Sequence, residues 1–288
     1  MTIGELIERT ARRFAAAGLY YGHGTDNERD EAAWLVLRGL GLPFDADLGQ
    51  PASDLQRIER LVERRIRERT PVAYLLNEAW LAGQPFYVDE RVIVPRSHIA
   101  ELLREPFLAR RTVRRVLDLC TGSGCLAILA ARAFPQAQVD ALDIAPGAIA
   151  VARKNVAHYR LGRRVRLVRS DLFNGLGAAR YDLIVTNPPY VSAAAMASLP
   201  AEYRHEPRIA LAGGADGLAL IARIVAAAPA RLEPDGLLIC EVGDARVAVA
   251  RRFARLGLAW PKPEVFSLQS AKMASGPRKS PSRAARGR

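Results

Sequence analysis

Residues 114–127 read RRVLDLCTGSGCLA. The apolar run from Val116 to Cys120 ends on a glycine-rich turn, and a helix-forming stretch, CLAILAARAF, follows at once. A short apolar run bounded by turn residues reads as a strand buried on both faces. Downstream the alternation continues. AQVDALD is a strand, and PGAIAVARKNVAHY is a helix with Pro146 at its start. RVRLVRS and YDLIVTN are strands, GLALIARIVAAAPARL a helix, GLLICEVG a strand and RVAVARRFARLG a helix. Strands alternating with helices predict an α/β fold, a parallel sheet with helices on both faces. Ligands of such sheets bind beyond the carboxyl ends of the strands, so informative residues belong directly after strands.

Upstream of this block the pattern is different. The first 70 residues read as helices, with Thr25–Glu28 and Ser53–Gln56 fitting the capping-box spacing. In the second helix Leu55, Ile58, Val62, Ile66 and Arg69 fall on one face, and Thr70-Pro71 closes it. AWLAGQPFYVDERVIVP, rich in aromatic and β-branched residues with Gly/Pro punctuation, predicts a hairpin leading to Pro95. SHIAELLREPFLAR predicts a further helix, and the boundary between a helical unit and the α/β unit falls near Pro71 to Pro95.

Composition excludes several classes. The three cysteines, Cys120, Cys125 and Cys240, form no Cys-x-x-Cys pair, and the four histidines are scattered, so neither a zinc site nor a disulfide framework is expected. Thiols buried in a reducing compartment are the expectation. The opening MTIGELIERTARRF is a charged amphipathic helix pattern rather than a signal peptide, and no apolar run reaches the roughly 20 residues a membrane span needs. The formal net charge is +12, and six Lys/Arg with no acid lie between Ser270 and Arg288. That tail has almost nothing to bury, and its composition predicts disorder. A basic balance suits RNA or a ribonucleoprotein; it equally suits a surface that simply favours arginine.

The glycine turn fits a ligand site. Gly122, Gly124 and Ala127 match the Gly-x-Gly-x-x-Gly/Ala spacing, where glycine permits a tight turn and close backbone approach. Asp143 ends the second strand, 19 residues after Gly124, where a carboxylate can accept from both hydroxyls of a ribose. A helix N-cap in DIAPGAI is the other reading of Asp143, and the two are compatible. Asp171, in RSDLF after the third strand, suits either the edge of a base or the cap of a turn. Together these fit an adenine nucleoside without choosing which.

Asn187-Pro188-Pro189-Tyr190 makes the choice. It follows the YDLIVT strand, 65 residues after Gly122. An amide or aromatic amine nitrogen is a poor nucleophile because its lone pair is delocalised. Two acceptors aimed at its two N–H bonds favour the pyramidal geometry needed for methylation. Asn187 offers its side-chain oxygen, and Pro188 offers a carbonyl on a stiff segment that has no N–H to compete. Tyr190 can stack on the planar target. The expected reaction is in-line methyl transfer from a sulfonium, driven by positioning and electrostatics. The plain alternative is an extended proline turn with a capping Asn and a packing Tyr.

DLCTGSG, the acidic end of the second strand and NPPY resemble S-adenosylmethionine-dependent amino-methyltransferases. PFYVDERVIVPRSHIAELL narrows this to a resemblance to the protein-glutamine methyltransferase family. Within it, VPRSHIAEL, DLCTGSGC and LPAEYRHEPRIALAGGADG resemble the ribosomal-protein branch, which acts on a glutamine of the third large-subunit protein, rather than the release-factor branch. The resemblance runs from about Arg13 to Leu268. It implies a seven-stranded, Rossmann-like methyltransferase domain at residues 97–269, a small helical N-terminal domain for substrate docking at 1–72, a hairpin linker at 73–96 and a basic tail at 270–288. It implies S-adenosylmethionine held by Asp118, Thr121, Gly122, Ser123, Gly124, Asp143, Asp171 and Arg96, and catalysis by Asn187, Pro188, Pro189 and Tyr190. It implies a cytoplasmic enzyme with a ribosomal protein as partner, non-specific rRNA contact through the tail, and neither membrane nor metal. Glu206-Pro207 would close the active site or shape its loop. LAWPKPEVFSLQ departs from the family in being shorter than the usual last hairpin, which leaves the final strand pairing open. A DNA adenine methyltransferase would also use Asn-Pro-Pro-Tyr, but only about two dozen residues separate Val191 from Gly214, too few for a target-recognition segment.

Overall fold

The computed structural model describes residues 1–270. The predicted disordered tail therefore lies, beyond Ser270, outside the described residues.

The chain opens with helices α1 (Ile3–Ala16), α2 (Glu28–Gly39), α3 (Leu55–Glu68) and α4 (Val72–Leu76). Thr2 and Glu5 cap α1 reciprocally, and Ile3, Leu6, Ile7, Ala11 and Phe14 form its buried stripe. The two capping boxes expected further on are replaced by single caps. Asn27 caps α2 by accepting from the Asp30 N–H, and Asp54 caps α3 by accepting from the Arg57 N–H. Thr25 bonds instead to the Glu31 carboxylate. On α3 the expected face is half right. Ile58 and Val62 are buried, but Leu55 is exposed and Arg69 is the C-cap; Arg65, 1% exposed, is as deeply buried as Ile58 and Val62.

A two-stranded hairpin, β1 (Ala79–Leu81) and β2 (Gln84–Phe86), follows. The single helix expected from SHIAELLREPFLAR is two short ones, α5 (Ile99–Leu102) and α6 (Pro106–Ala109), with Pro106 starting the second. The α/β region then alternates β3 (Arg115–Leu119), α7 (Cys125–Ala133), β4 (Gln138–Asp143), α8 (Pro146–His158), β5 (Val165–Arg169), β6 (Tyr181–Thr186), α9 (Ala193–Ser198), α10 (Ala219–Ala227), β7 (Leu232–Glu241), α11 (Arg246–Arg252), β8 (Ala259–Lys262) and β9 (Val265–Gln269). The sheet has seven strands in the order β5-β4-β3-β6-β7-β9-β8. The first five are parallel, while β9 runs antiparallel to β7 and to β8. The short final segment thus still completes the sheet, with Trp260 set edge-on to Phe266.

Three apolar cores result. One lies under α5 and α7, and a second under α10 and α11 on the opposite face of the sheet. The third joins α1–α4 to Val88, Val92 and Val94 of the following segment and to Ala148 and Val151 of α8. The helical region therefore rests directly on the α/β region, burying side chains worth roughly 1.5–3 kcal/mol each when fully covered. Strand order reverses between β3 and β6, and the site sits beyond that crevice. Among the described residues no helix is long and apolar enough to cross a membrane, and no cluster of His, Cys, Asp and Glu could hold a metal.

Candidate active site

The turn after β3 brings Cys120, Gly122 and Gly124 into the left-handed region, with φ of 58°, 55° and 81°. Gly124 is required for space as well as conformation, because a Cβ there would lie 3.1 Å from the Cβ of Ala152. Asp118 lies beneath this turn, fully buried. Its Oδ2 accepts from the Thr121 hydroxyl at 2.5 Å and from the Ala127 N–H at 3.0 Å, while Oδ1 has no partner. Burial pushes its carboxyl up to about 7. The Gly122 N–H donates to Asp143 Oδ2 at 2.9 Å, and the Ala145 N–H donates to Asp143 Oδ1 at 2.9 Å, so Asp143 ties the glycine turn to the end of β4 and braces the entry to α8, whose N-cap is Ala145 and not the expected Asp143. Burial raises the Asp143 carboxyl despite these N–H groups.

A cavity of about 450 Å³ opens over this corner. Gly122, Cys120, Asp143, Asp171 and Asn187 line it. The sequence-selected Asp118, Thr121, Ser123 and Gly124 do not; they build the floor and the turn. Asp171 is at the rim and its Oδ2 accepts from Arg223 Nη2 at 2.7 Å. Cys120, expected as a buried thiol, is only partly buried and lines this cavity, whereas Cys125 and Cys240 are buried.

A second cavity, about 350 Å³, adjoins the first. Arg96, Asn187, Pro188, Tyr190 and Tyr203 are among its walls. Arg96, expected in the cofactor pocket, faces this second cavity instead. The two cavities share three residues, Ile93, Asn187 and Ala210. Pro188 and Pro189 are buried, and Thr186 at the end of β6 bonds the Leu119 carbonyl at 3.0 Å, which fixes the strand end that presents Asn187. The Tyr190 ring lies against Gly243, where an added Cβ would collide with it. Burial pushes the Tyr190 hydroxyl up to about 12, with Glu241 adding to the effect.

The far wall of the second cavity was not legible from local pattern. A 3₁₀ turn at Ala201–His205 carries Glu202, Tyr203 and, one residue on, Glu206. Glu206 takes both Arg96 guanidinium nitrogens, at 2.5 and 2.6 Å, and the Val94 N–H at 2.9 Å. Of the pair expected either to close the site or to shape its loop, Glu206 braces the loop from behind and Pro207 lines the first cavity. Burial pulls the Arg96 guanidinium down, but the Glu206 hydrogen bonds outweigh it and hold it above its ordinary range. Glu202 accepts from Arg65 Nη1 at 3.2 Å and from the Tyr20 N–H at 3.0 Å. His23, 2% exposed, lies 3.7 Å from Glu206 with neither ring nitrogen hydrogen-bonded, and burial holds its imidazole down to about 4.

Known proteins are similar to this chain over most of its length. A family model described as "Methyltransferase small domain" matches residues 99–202. Among curated proteins, a ribosomal protein uL3 glutamine methyltransferase of Bordetella pertussis is 52% identical over 268 residues, 90% of each chain. Proteins of the same name from Burkholderia pseudomallei and Bradyrhizobium diazoefficiens are each 48% identical over 275 residues, covering 90% of this chain and 90% and 86% of theirs. Among solved structures, the hMettl16 catalytic domain in complex with MAT2A 3'UTR hairpin 6 superposes with a TM-score of 0.50 at 14% identity over 74% of this chain and 79% of that one, a likeness of fold alone. At half identity along nine-tenths of its length, the chain belongs to the ribosomal protein uL3 glutamine methyltransferase family.

Proposed function

We propose that this protein transfers a methyl group from S-adenosylmethionine to the side-chain amide nitrogen of a glutamine in ribosomal protein uL3. The observation that carries the reading is the position of Asn187 on the boundary between two cavities. The first cavity is the donor side and the second the acceptor side.

The donor cavity fits S-adenosylmethionine. Asp143 spends one lone pair of each oxygen on backbone N–H groups and keeps the others for vicinal hydroxyls. Gly122 leaves its turn without a side chain to obstruct a ligand. Asp171 at the rim suits the edge of a base, in exchange with Arg223. The bound sulfonium supplies an activated methyl carbon. On the acceptor side, Asn187 Oδ1 and the Pro188 carbonyl accept the two N–H bonds of the glutamine amide, which favours a lone pair directed at the donor. The amide nitrogen forms a bond to the methyl carbon as the S–C bond breaks and the sulfonium leaves as a neutral thioether, and the proton shed by the nitrogen passes to solvent. Tyr190, held by Gly243 behind it, offers a flat wall to the planar amide. Catalysis in this scheme is orientation and preset dipoles.

Residues 1–72 serve as the docking domain for the protein substrate, 73–96 as linker and 97–269 as the catalytic domain. Cytoplasmic action on a newly made ribosomal protein, with non-specific rRNA affinity from the basic tail, fits the net charge. The test is a competition assay with labelled S-adenosylmethionine and equal amounts of purified uL3 and release factor. Labelling of uL3 at a single glutamine supports the proposal; labelling of the release factor alone overturns the substrate while leaving amide chemistry standing.

A further inference from the structure

The loop from Pro200 to Pro207 walls the acceptor cavity with Tyr203 and is held from behind by two buried carboxylates. Glu202 is 2% exposed and Glu206 4%. They stand four residues apart and reach in different directions. Glu202 bonds Arg65 on α3 and the Tyr20 N–H, both from the N-terminal helical region. Arg65 is itself tied to Glu31 at 2.6 Å and to the Tyr20 carbonyl at 2.9 Å. Glu206 bonds Arg96 and Val94 from the linker. Between these two anchors the Tyr203 ring is fixed on three sides. The Arg96 guanidinium lies 5.3 Å from its centroid, the His23 ring 4.7 Å and the Tyr20 ring 5.6 Å.

Buried ion pairs are poor stabilisers, because desolvation offsets most of the attraction; their best-attested use is to specify one geometry. Here the geometry specified is that of an aromatic ring facing the acceptor cavity. The geometry points to Tyr203 as an acceptor-recognising residue, with Glu202 and Glu206 as the positioning residues that lock its ring against the N-terminal helices. This rests on the second cavity being the acceptor side. It adds that the N-terminal region builds part of the acceptor wall as well as docking the protein. Tyr203 shapes the slot for the glutamine side chain, while Asn187 and Pro188 orient its nitrogen.

The experiment is steady-state kinetics of full-length Tyr203→Ala, Tyr203→Phe and Glu206→Gln with uL3 as the varied substrate, beside calorimetry with S-adenosylmethionine and thermal melts. The expected result for Tyr203→Ala is a rise in KM for uL3 of about tenfold or more with cofactor affinity within about twofold of the parent. Tyr203→Phe keeps the ring and should stay near the parent. Glu206→Gln should share the KM defect to a lesser degree. If Glu206→Gln fails to fold, the Tyr203 pair still decides. An unchanged KM in Tyr203→Ala, a loss confined to kcat, or an equal defect in Tyr203→Phe overturns the assignment. A parent enzyme that does not methylate uL3 is a different failure, that of the substrate reading, and shows before any variant is made.

Discussion

The Gly122 N–H is bonded to the Asp143 carboxylate at 2.9 Å, so the turn after β3 and the end of β4 make one corner of the first cavity. A ribose placed there meets a carboxylate already oriented by the backbone. In the proposed reading, replacing Asp143 removes the ribose acceptor and loosens the corner together.

Asp143→Ala should therefore weaken S-adenosylmethionine binding by roughly 1.5–3 kcal/mol, the range for hydrogen bonds to a charged group. Titration calorimetry reads this directly. Affinity equal to the parent's would remove Asp143 from the cofactor site.

Asn187→Ala should behave in the opposite way. Turnover should fall by about 10²–10³, as for loss of one preorganised catalytic dipole, with cofactor affinity nearly unchanged. Single-turnover methylation of uL3 with saturating cofactor is the measurement. Turnover near the parent rate would refute amide activation by Asn187.

Arg65→Ala leaves Glu31 and Glu202 buried without their cation. Removing one partner of a buried pair costs about 3–5 kcal/mol. Urea unfolding should show that loss at an unchanged m-value. Adding Glu31→Gln and Glu202→Gln to the same variant should restore part of it, since the stranded charges are gone.

Two buried groups set opposing pH slopes. The folded state holds His23 neutral down to about 4, against 6.5 when unfolded. In that window the unfolded chain binds more protons, so His23 makes stability fall as pH drops from about 6.5 to 4. Asp118 is raised from 3.8 to about 7, so there the folded chain binds more protons, and its contribution grows as pH drops from about 7 to 4. In the parent these two contributions oppose each other. His23→Phe should flatten or reverse the acid-side loss, and Asp118→Asn should steepen it. Melting temperatures from pH 7 to 4 test the signs.

The local signals in the sequence suffice for the five parallel strands but leave the pairing of β8 and β9 open. Four of the parallel strands have a mainly apolar run ended by a turn, while β5 carries Arg166 and Arg169, and Gly122, Asp143 and Asn187 lie at or just beyond strand ends, where parallel topology gathers them. The acceptor wall has no such signal. Glu202 meets Arg65 across 137 positions, Glu206 meets Arg96 across 110, and Tyr20 meets Glu202 across 182. Arg65 falls between apolar positions of an amphipathic helix and reads as surface until its two carboxylates are seen. Asp118 reads as a ligand contact from its motif, and only its burial shows it holding the turn from below. Asn27 and Asp54 cap their helices although the neighbouring Thr25–Glu28 and Ser53–Gln56 match the capping-box spacing, because a single cap side chain suffices to hold the first N–H groups.

The strand order also governs how the protein behaves in a crowd. Among the described residues, β5 and β8 are the edge strands of the seven-stranded sheet, each with one flank without a neighbour. Such flanks offer unpaired backbone groups to any passing strand. Along β5 the exposed Arg166 and Arg169 interrupt an otherwise apolar run, and β8 contains Pro261 and Lys262. Charge on one rim and a missing N–H on the other discourage sheet-to-sheet growth between molecules. These residues lie outside the chemistry, and their contribution is to keep the folded protein from aggregating through its own edges.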